Sequence, residues 1–257
     1  MGGPRTGDAF GVMLQEALAV ERARSAAANV AVRAAGVAEI IERDDGLIRS
    51  GPAARYFTAS PEWEPFERQA LGLARGRVLD VGCGAGRFAL ALQKRDIDVT
   101  ALDISAGAAA VARERGVREV VCASVATHAV DRAPYDTFLL MGENLGLLES
   151  RERAPDFLAG LARLARPGAR IIGHGADPGR SGDPVHDEYA RRNRDLGRMP
   201  GQMTIRIRHR DLATSWFEYL LCSPADLRAL AAPTPWELAG VDRVGPVNYL
   251  AVLIFQP

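Results

Sequence analysis

The sequence has no long apolar run, few cysteines and no secretory leader, and each absence narrows the class of protein. No stretch approaches the roughly 20 consecutive apolar residues that a membrane-spanning helix requires. Residues 1–8 lack the basic and then apolar pattern of a signal peptide. The three cysteines among 257 residues are widely spaced, without the CxxC pairing of zinc sites or redox motifs. We therefore expect a soluble, cytoplasmic protein with reduced thiols and no membrane partner.

An excess of either charge is also missing, and this disfavours a further class of partner. The 32 basic and 32 acidic residues give a formal net charge of zero, so the chain lacks the overall attraction that a general nucleic-acid binder uses. The histidines His174, His186 and His209 do not have the spacing of zinc ligands, and the GxSxG motif of many serine hydrolases is absent. We expect a protein without a metal and without a nucleic-acid partner, although a local basic patch stays open.

The most informative segment that is present is an apolar strand followed by a glycine-rich turn, residues 78–87, VLDVGCGAGR. Gly82, Gly84 and Gly86 remove the Cβ atoms that would hold a ligand away from the backbone, and they allow positive φ angles. The spacing is GxGxG, because Arg87 stands where a dinucleotide-binding GxGxxG has its third glycine, and the Gly-Lys-Ser or Gly-Lys-Thr of a P-loop is absent. The segment predicts a ligand-binding turn that is not built for pyrophosphate.

With its acid, one intervening residue and GxGxG, the segment resembles the cofactor loop of class I S-adenosylmethionine (SAM) dependent methyltransferases, a Rossmann-like family. The next unit agrees, because residues 98–103 form an apolar strand that ends in Asp103, 21 residues after Gly82. An acid there accepts hydrogen bonds from the ribose hydroxyls of a nucleoside cofactor. Helix capping is the alternative role for Asp103, although Ser105 competes for that cap. The resemblance covers about residues 76–175 and the end of the chain.

The resemblance implies the α/β fold class, with a doubly wound, mostly parallel sheet of seven strands and helices on both faces. The last two strands, residues 236–244 and 248–255, resemble the closing antiparallel pair of the family. An insertion follows strand five, and its alternating residues predict an added β-hairpin. We expect an N-terminal helical cap, residues 1–75, and a SAM-binding Rossmann-like domain, residues 76–257, with the insertion at about 177–222.

The N-terminal cap is predicted to be helical from the spacing of its apolar residues. In the family, similar helices cover the cofactor and form one wall of the substrate pocket. Tyr56 and Phe57, in an aromatic connector before the domain, and Tyr189, in the insertion, are therefore expected at the substrate pocket. Docking of the cap onto the sheet is the alternative role for the two connector aromatics. The apolar positions with helical spacing are Phe10, Leu14, Ala17 and Leu18, and then Val30, Val37, Ile40 and Ile41.

The cofactor residues that the resemblance implies lie at the carboxyl ends of the strands, where open α/β sheets bind ligands. Many relatives have an acid for the adenine amino group in the third loop, whereas this chain offers Ser124, backbone groups and apolar contacts from Ile104 and Val125. In the family, the residues after strand four lie beside the methionine part of the cofactor and the acceptor. The implied cofactor residues are Asp80, Gly82, Cys83, Gly84, Gly86, Arg87, Asp103, Ile104, Ser124, Val125, Glu143 and Asn144.

Two residues are candidates for a general base: His174 at the end of strand five comes first, and Glu143 after strand four comes second. A neutral amine needs no base, whereas a hydroxyl acceptor would profit by about 10²- to 10⁴-fold. Capping or packing is the alternative role for each. Arg206, Arg208 and Arg210 share one face of a predicted strand, and we interpret them as solvated or internally paired before considering an anion or RNA contact.

The predicted function is a SAM-dependent methyltransferase that methylates an oxygen, nitrogen or carbon atom of a small molecule and releases S-adenosyl-L-homocysteine (SAH). One alternative is a SAM-binding protein that does not methylate, either a regulator or an enzyme of another reaction, because fold and cofactor do not fix chemistry. The other is a nucleic-acid or protein methyltransferase. Residues 142–145, Gly-Glu-Asn-Leu, stand where many amino-methylating enzymes have Asn-Pro-Pro-Tyr.

Overall fold

The computed structural model describes residues 3–26, 36–129 and 134–257, which form two β-sheets with helices around them. No helix among these residues has the length and apolar composition needed to cross a membrane. The helices are α1 (Ala9–Ala26), α2 (Pro65–Leu73), α3 (Arg87–Gln93), α4 (Ala106–Glu114), α5 (Ala154–Leu164), α6 (Pro184–Asp195) and α7 (Pro224–Ala231), with 3-10 helices at Ala53–Tyr56, Ser60–Glu62, Asn144–Leu148 and Pro178–Arg180. The strands are β1 (Arg5–Thr6), β2 (Ala38–Arg43), β3 (Ile48–Pro52), β4 (Val78–Val81), β5 (Val99–Asp103), β6 (Glu119–Cys122), β7 (Tyr135–Leu140), β8 (Ala165–Ala176), β9 (Gln202–His209), β10 (Leu212–Ala213), β11 (Phe217–Leu220), β12 (Trp236–Val244) and β13 (Asn248–Phe255).

The larger sheet has the strand order β12-β13-β8-β7-β4-β5-β6. The strands from β8 to β6 pair in parallel, and β13 runs antiparallel to both β8 and β12. Strands β4 and β5 are buried along their whole length, because helices cover both faces of the sheet. The expected doubly wound, mostly parallel, seven-stranded sheet is therefore confirmed.

Alternate residues of the central strands contribute to two separate cores, because successive side chains of a strand point to opposite faces. Leu79 and Phe138 pack in one core with residues of α5 and α7. Val78 and Leu139 pack in the other with residues of α2, α3 and α4. The central strands are thus fixed from both sides, and so are the turns at their carboxyl ends.

The second sheet joins the N-terminal segment to the insertion after β8. Its strand order is β1-β10-β9-β2-β3, and β11 also pairs with β9. Strand β2 runs antiparallel to β9, with Ile41 opposite Ile207. A hairpin alone is marginally stable in water, and here the N-terminal strands extend the strands of the insertion into a larger sheet.

The expectation of a wholly helical N-terminal cap is wrong after α1. Ile40 and Ile41 lie in β2, and a turn with Gly46 at φ +89° leads from β2 to β3. Adjacent β-branched residues favour extended backbone, and pairing with β9 satisfies the backbone groups of β2. Val30, another position of that prediction, lies outside the described residues. In the insertion, where a β-hairpin is expected, β10 and β11 both pair antiparallel with β9.

Helix α1 packs directly on α4, the helix that follows β5 of the larger sheet. A Cβ atom added to Gly11 would lie 2.6 Å from the Cα atom of Gly107, so the two backbones touch. Asp8 caps α1 by accepting a hydrogen bond from the Gly11 N–H at 2.9 Å. The same carboxylate accepts bonds from Ser105 Oγ and the Gly107 N–H. Through Asp8 the N-terminal segment is held against the helix that follows β5.

Candidate active site

A cavity of about 1390 Å³ lies between the carboxyl edge of the larger sheet and the second sheet. Asp80, Asp103 and Glu143 line it from the larger sheet, whereas Ile41 and Ile207 line it from β2 and β9. Pockets for one small ligand usually measure about 300–1,000 Å³. The volume therefore leaves room for a cofactor and a second molecule together.

The glycine turn has the backbone that the sequence predicts. Gly82, Gly84 and Gly86 have φ angles of +69°, +53° and +75°, in the region that favours glycine. A Cβ atom on Gly86 would lie 2.7 Å from Val117 Cγ2, so this glycine is required for packing. At Gly84 the nearest atom is in the Tyr56 ring, at 3.5 Å. Gly84 therefore offers bare backbone to the cavity, with an aromatic ring above it.

The two acids of the predicted cofactor site differ in their partners. Asp103 accepts hydrogen bonds from the Gly84 N–H at 2.8 Å and the Ser105 N–H at 2.9 Å, and burial raises the pKa of its carboxyl. Asp80 is 2% exposed, and its Oδ2 atom has no hydrogen-bond partner among the described residues. Burial raises the pKa of Asp80 to about 7. A buried carboxylate with one unpartnered oxygen beside a cavity fits a ligand with a cationic group, and SAM carries both an ammonium and a sulfonium.

The predicted adenine residues border the same cavity. Ile104 is 78% exposed although it is apolar, and Val125 is buried beside it in the cavity wall. The Ser124 hydroxyl accepts a hydrogen bond from the Thr127 N–H and lies 3.0 Å from Thr127 Oγ1. These contacts leave apolar surface and backbone groups as the features available to a flat base.

Cys83 and Arg87 also line the cavity. The Cys83 thiol is buried, and burial raises its pKa well above the ordinary value. The Arg87 guanidinium pairs with Glu67 and lies 4.5 Å from the centre of the Phe88 ring. Arg87 therefore forms part of the cavity wall, and Glu67 compensates its charge.

Asn144 connects two of the strand ends at the site. Its Nδ2 atom donates to the carbonyl oxygens of Val81 and Gly82, at 2.9 and 3.0 Å. The amide side chain therefore binds the loop after β7 to the start of the glycine turn. Asn144 therefore lies beside Gly82, whereas its expected contact with the methionine part of the cofactor stays a prediction.

Glu143 has an unusual backbone that two side chains hold. Its φ is +68°, a left-handed conformation that costs a non-glycine residue on the order of 1–2 kcal/mol. The Glu143 N–H donates to His174 Nδ1 at 3.0 Å, and its carbonyl accepts from the Tyr219 hydroxyl at 2.7 Å. The Glu143 side chain lines the cavity, where burial raises the pKa of its carboxyl and Arg55 and Arg49 lower it.

His174 does not line the cavity, which corrects its expected place at the acceptor. Its ring packs on Phe66, with centroids 4.7 Å apart, and burial lowers its pKa to about 4. Because Nδ1 accepts the Glu143 N–H, the neutral ring carries its proton on Nε2. A group with this pKa and this hydrogen bond is unsuited to take a proton from an acceptor near neutral pH.

Of the three residues expected at the substrate pocket, two line the cavity and one does not. Tyr56 and Tyr189 line the cavity, where Tyr56 donates to Glu39 Oε1 at 2.6 Å and Tyr189 donates to Asp44 Oδ1 at 2.7 Å. Phe57 does not line the cavity. Its ring packs with α1 and lies 4.9 Å from the Arg115 guanidinium, so its expected place at the substrate pocket is corrected.

Sequence reasoning missed several polar residues of the cavity. Asp8, Glu39, Arg55 and Tyr219 all line it. Asp8 had a readable signal, because it precedes the apolar face of α1 as an N-cap. Glu39 and Arg55 had none, since their place depends on the pairing of β2 with a strand more than a hundred residues away.

The arginine face of β9 is compensated inside the molecule. Arg206 and Arg208 pair with Glu42 at 2.9 and 3.2 Å, and Arg210 pairs with Glu16 at 2.8 Å. The internal ion pairs that the sequence left open are thus present, and two glutamates compensate part of the charge of the three arginines. Within the described ranges, no group of three or more His, Cys, Asp or Glu side chains could hold a metal ion.

Comparisons with known proteins agree with this geometry. Residues 78–168 match a family described as a methyltransferase domain. Two curated relatives, the ubiquinone biosynthesis O-methyltransferases of Pectobacterium atrosepticum and Cronobacter sakazakii, are 29% and 32% identical to this chain over 134 and 140 residues. Each match covers 47% of this chain and 55% of the relative. The chain therefore spans about half the length of these curated relatives.

A solved structure extends the likeness over nearly the whole chain. The SAM-dependent methyltransferase from Bacteroides fragilis, solved in complex with SAH, has a TM-score of 0.78 and 23% identity, with 97% of this chain and 95% of that chain covered. The fold that includes the second sheet is thus shared with a known structure. Together with the domain match, this identifies residues 78–168 as a SAM-dependent methyltransferase domain and gives the chain the class I, Rossmann-like methyltransferase fold.

Proposed function

We propose that the protein binds SAM along the glycine turn and transfers its methyl group to an oxygen, nitrogen or carbon atom of a small molecule beneath the second sheet. The observation that carries this proposal is the continuity of the cavity, which runs from Gly84 and Asp103 to Glu143 and the apolar face of β9. The methyl donor and its acceptor need such a shared space. The names of the curated relatives, O-methyltransferases, support a small acceptor with an oxygen nucleophile.

The described residues fit the cofactor at three points. Asp103 would accept from the ribose hydroxyls through the lone pairs that its two backbone bonds leave free. Asp80 would face a cationic group, which compensates its buried charge. Ile104 and Val125 would pack on the adenine. Bound SAM supplies a methyl group on a positively charged sulfur, which departs as a neutral thioether after attack.

The protein's own contribution to catalysis is positioning, exclusion of water and, for a hydroxyl acceptor, removal of a proton. Fixing two reactants in line is worth about 7–11 kcal/mol in favourable cases. Tyr56, above Gly84, and the second sheet form the wall of the cavity opposite the larger sheet, and water would be displaced from between them when both ligands are bound. The Glu143 carboxylate is the group that would take the proton, because burial raises its pKa toward neutrality, where a base is most effective.

The cavity favours a small acceptor over a macromolecule. The second sheet lies over the space beside Glu143. The arginines that could meet a phosphate backbone, Arg206, Arg208 and Arg210, are paired with Glu42 and Glu16. A nucleic-acid methyltransferase instead needs an open basic groove. This argument concerns the acceptor alone and leaves the assignment of the cofactor unchanged.

The test uses SAM with a labelled methyl group and the small-molecule fraction of a cell extract. We expect label in a product that passes a membrane retaining macromolecules, and no transfer by a Gly84→Val variant. Label in retained nucleic acid or protein would contradict the small acceptor. Tight SAH binding with no transfer to any fraction would support a SAM-binding protein that does not methylate.

A further inference from the structure

We propose that His174 and Tyr219 are positioning residues that hold the Glu143 carboxylate in the acceptor end of the cavity by binding its backbone from two different sheets. The inference rests on the proposed function, since it assigns Glu143 to the acceptor. The inference adds that the second sheet, through Tyr219, helps to position the Glu143 carboxylate. The second sheet would then both cover the acceptor and supply one of the two side chains that hold Glu143.

The Glu143 side chain has no fixing partner of its own. Among the described residues, no hydrogen bond or ion pair holds its carboxylate, although Arg55 and Arg49 lie near enough to lower its pKa and Glu39 near enough to raise it. The position of the carboxylate is therefore set through the backbone. That backbone is left-handed and follows Gly142 at φ +73°, a combination that persists only where the surroundings enforce it.

The larger sheet provides the first hold. His174 lies on β8, and its Nδ1 atom accepts the Glu143 N–H at 3.0 Å. Only a neutral imidazole can accept this bond. Burial under Phe66 keeps the ring neutral by lowering its pKa, an effect that outweighs the opposite influence of Glu67. The hydrogen bond is thus available throughout the neutral range of pH.

The second sheet provides the other hold. Tyr219 lies on β11, and its hydroxyl donates to the Glu143 carbonyl at 2.7 Å. The Tyr219 ring lies against Gly146, where any Cβ atom would overlap it. Burial raises the pKa of Tyr219, so the hydroxyl remains a donor. Gly146 and Tyr219 therefore form a matched contact between the loop after β7 and the second sheet.

The consequence is that placement of the base depends on closure of the second sheet. If β11 moved away, Glu143 would lose one of the two side chains that hold its strained backbone. The loop would relax, and the carboxylate would reach water. Its pKa would then fall toward the ordinary value, because burial is the cause that raises it.

The experiment measures the ionisation of Glu143 directly. The full chain is labelled with [5-¹³C]glutamate, and the Glu143 carboxyl signal is identified as the one that Glu143→Gln removes. Carboxyl titrations are recorded for the wild type, Tyr219→Phe and Gly146→Ala, each with and without SAH. We expect the Glu143 pKa to fall by about one pH unit or more in both variants, which is a tenfold change in its protonation equilibrium.

Tyr249→Phe is the matched control. Tyr249 is also a buried tyrosine whose hydroxyl donates to a backbone carbonyl, that of Cys222, at 2.8 Å. Its loss should lower the melting temperature to a similar degree and leave the Glu143 titration unchanged. SAH affinity should stay within about threefold of wild type in all of these variants, because His174 and Tyr219 act on the acceptor end of the cavity.

The proposal is overturned if Tyr219→Phe and Gly146→Ala both leave the Glu143 pKa within about 0.3 pH units of wild type. It is also overturned if Tyr249→Phe shifts this pKa as much as Tyr219→Phe does. His174→Asn retains an acceptor for the Glu143 N–H and should restore the wild-type titration, whereas His174→Ala should not. Failure of the wild type to bind SAH would contradict the proposed function instead. The titration of the free protein would still show whether His174 and Tyr219 position the Glu143 carboxylate.

Discussion

The buried carboxylate of Asp80 makes cofactor affinity depend on pH. Burial raises its pKa to about 7, and its Oδ2 atom has no partner among the described residues. A cationic group of the cofactor would favour the ionised form of this carboxyl. Binding therefore requires loss of the proton that Asp80 holds below its pKa, and affinity should rise as the pH rises toward 7.

The magnitude follows from the fraction of Asp80 that is ionised in the free protein. With a pKa of about 7, that fraction is about three quarters at pH 7.5 and about one hundredth at pH 5. Affinity for SAH should therefore increase close to 80-fold between pH 5 and pH 7.5, or about 2.6 kcal/mol. The amino group of the ligand stays protonated over this range and does not contribute to the slope.

Calorimetric titration of SAH at half-unit steps of pH, with the fold monitored by circular dichroism at each step, measures this slope. In Asp80→Asn the affinity should be weak and nearly independent of pH. The stability of the ligand-free protein should fall as the pH rises, because a carboxyl with a raised pKa makes folding less favourable between about pH 4 and pH 7. At pH 8, Asp80→Asn should therefore be more stable than wild type, by at most about 4 kcal/mol. Equal wild-type affinity at pH 5 and pH 7.5 would refute the assignment of a cationic group to Asp80.

Three further outcomes are expected. Asp103→Ala should weaken SAH binding by about 1.5–3 kcal/mol, the scale of a charge-assisted hydrogen bond, and unchanged calorimetric affinity would remove Asp103 from the site. Burial lowers the pKa of His174 to about 4 in the folded protein, so its contribution to stability is complete above pH 6.5 and declines as the pH falls. Urea titrations at pH 8 and pH 5 should show that the free energy of unfolding falls by about 2 kcal/mol less in His174→Asn than in wild type. If the N-terminal segment and residues 177–203 close over the cofactor, hydrogen exchange should show that SAH protects parts of both. Protection confined to residues 78–145 would contradict this closure.

Local patterns were sufficient for most of the larger sheet. The strands 236–244 and 248–255 have the bounds that the resemblance to the family's closing antiparallel pair predicts. Helix α7 begins after Ser223, whose side chain accepts from the Asp226 N–H, as a serine before a proline predicts. Signals of this kind lie within a few residues of one another and can be read from one segment at a time.

The second sheet escaped prediction because its pairing is not local. Ile40 and Ile41 have a spacing that fits one turn of a helix as well as part of a strand, and only the partner decides between them. That partner is β9, with Ile41 opposite Ile207. The same pairing brings Glu39 and Arg55 into the cavity wall. Residues whose place depends on such a contact cannot be assigned from their own neighbours in the chain.

The ranking of the two candidate bases fails for a reason that burial explains. The sequence analysis places His174 before Glu143. An unperturbed imidazole titrates near neutral pH and a carboxyl does not. Burial disfavours the charged form of both groups, so it lowers the pKa of the histidine and raises that of the glutamate. The environment that makes His174 a weaker base makes Glu143 a stronger one. In the proposed arrangement, the hydrogen bond between them gives His174 a different task, which is to hold the backbone of Glu143.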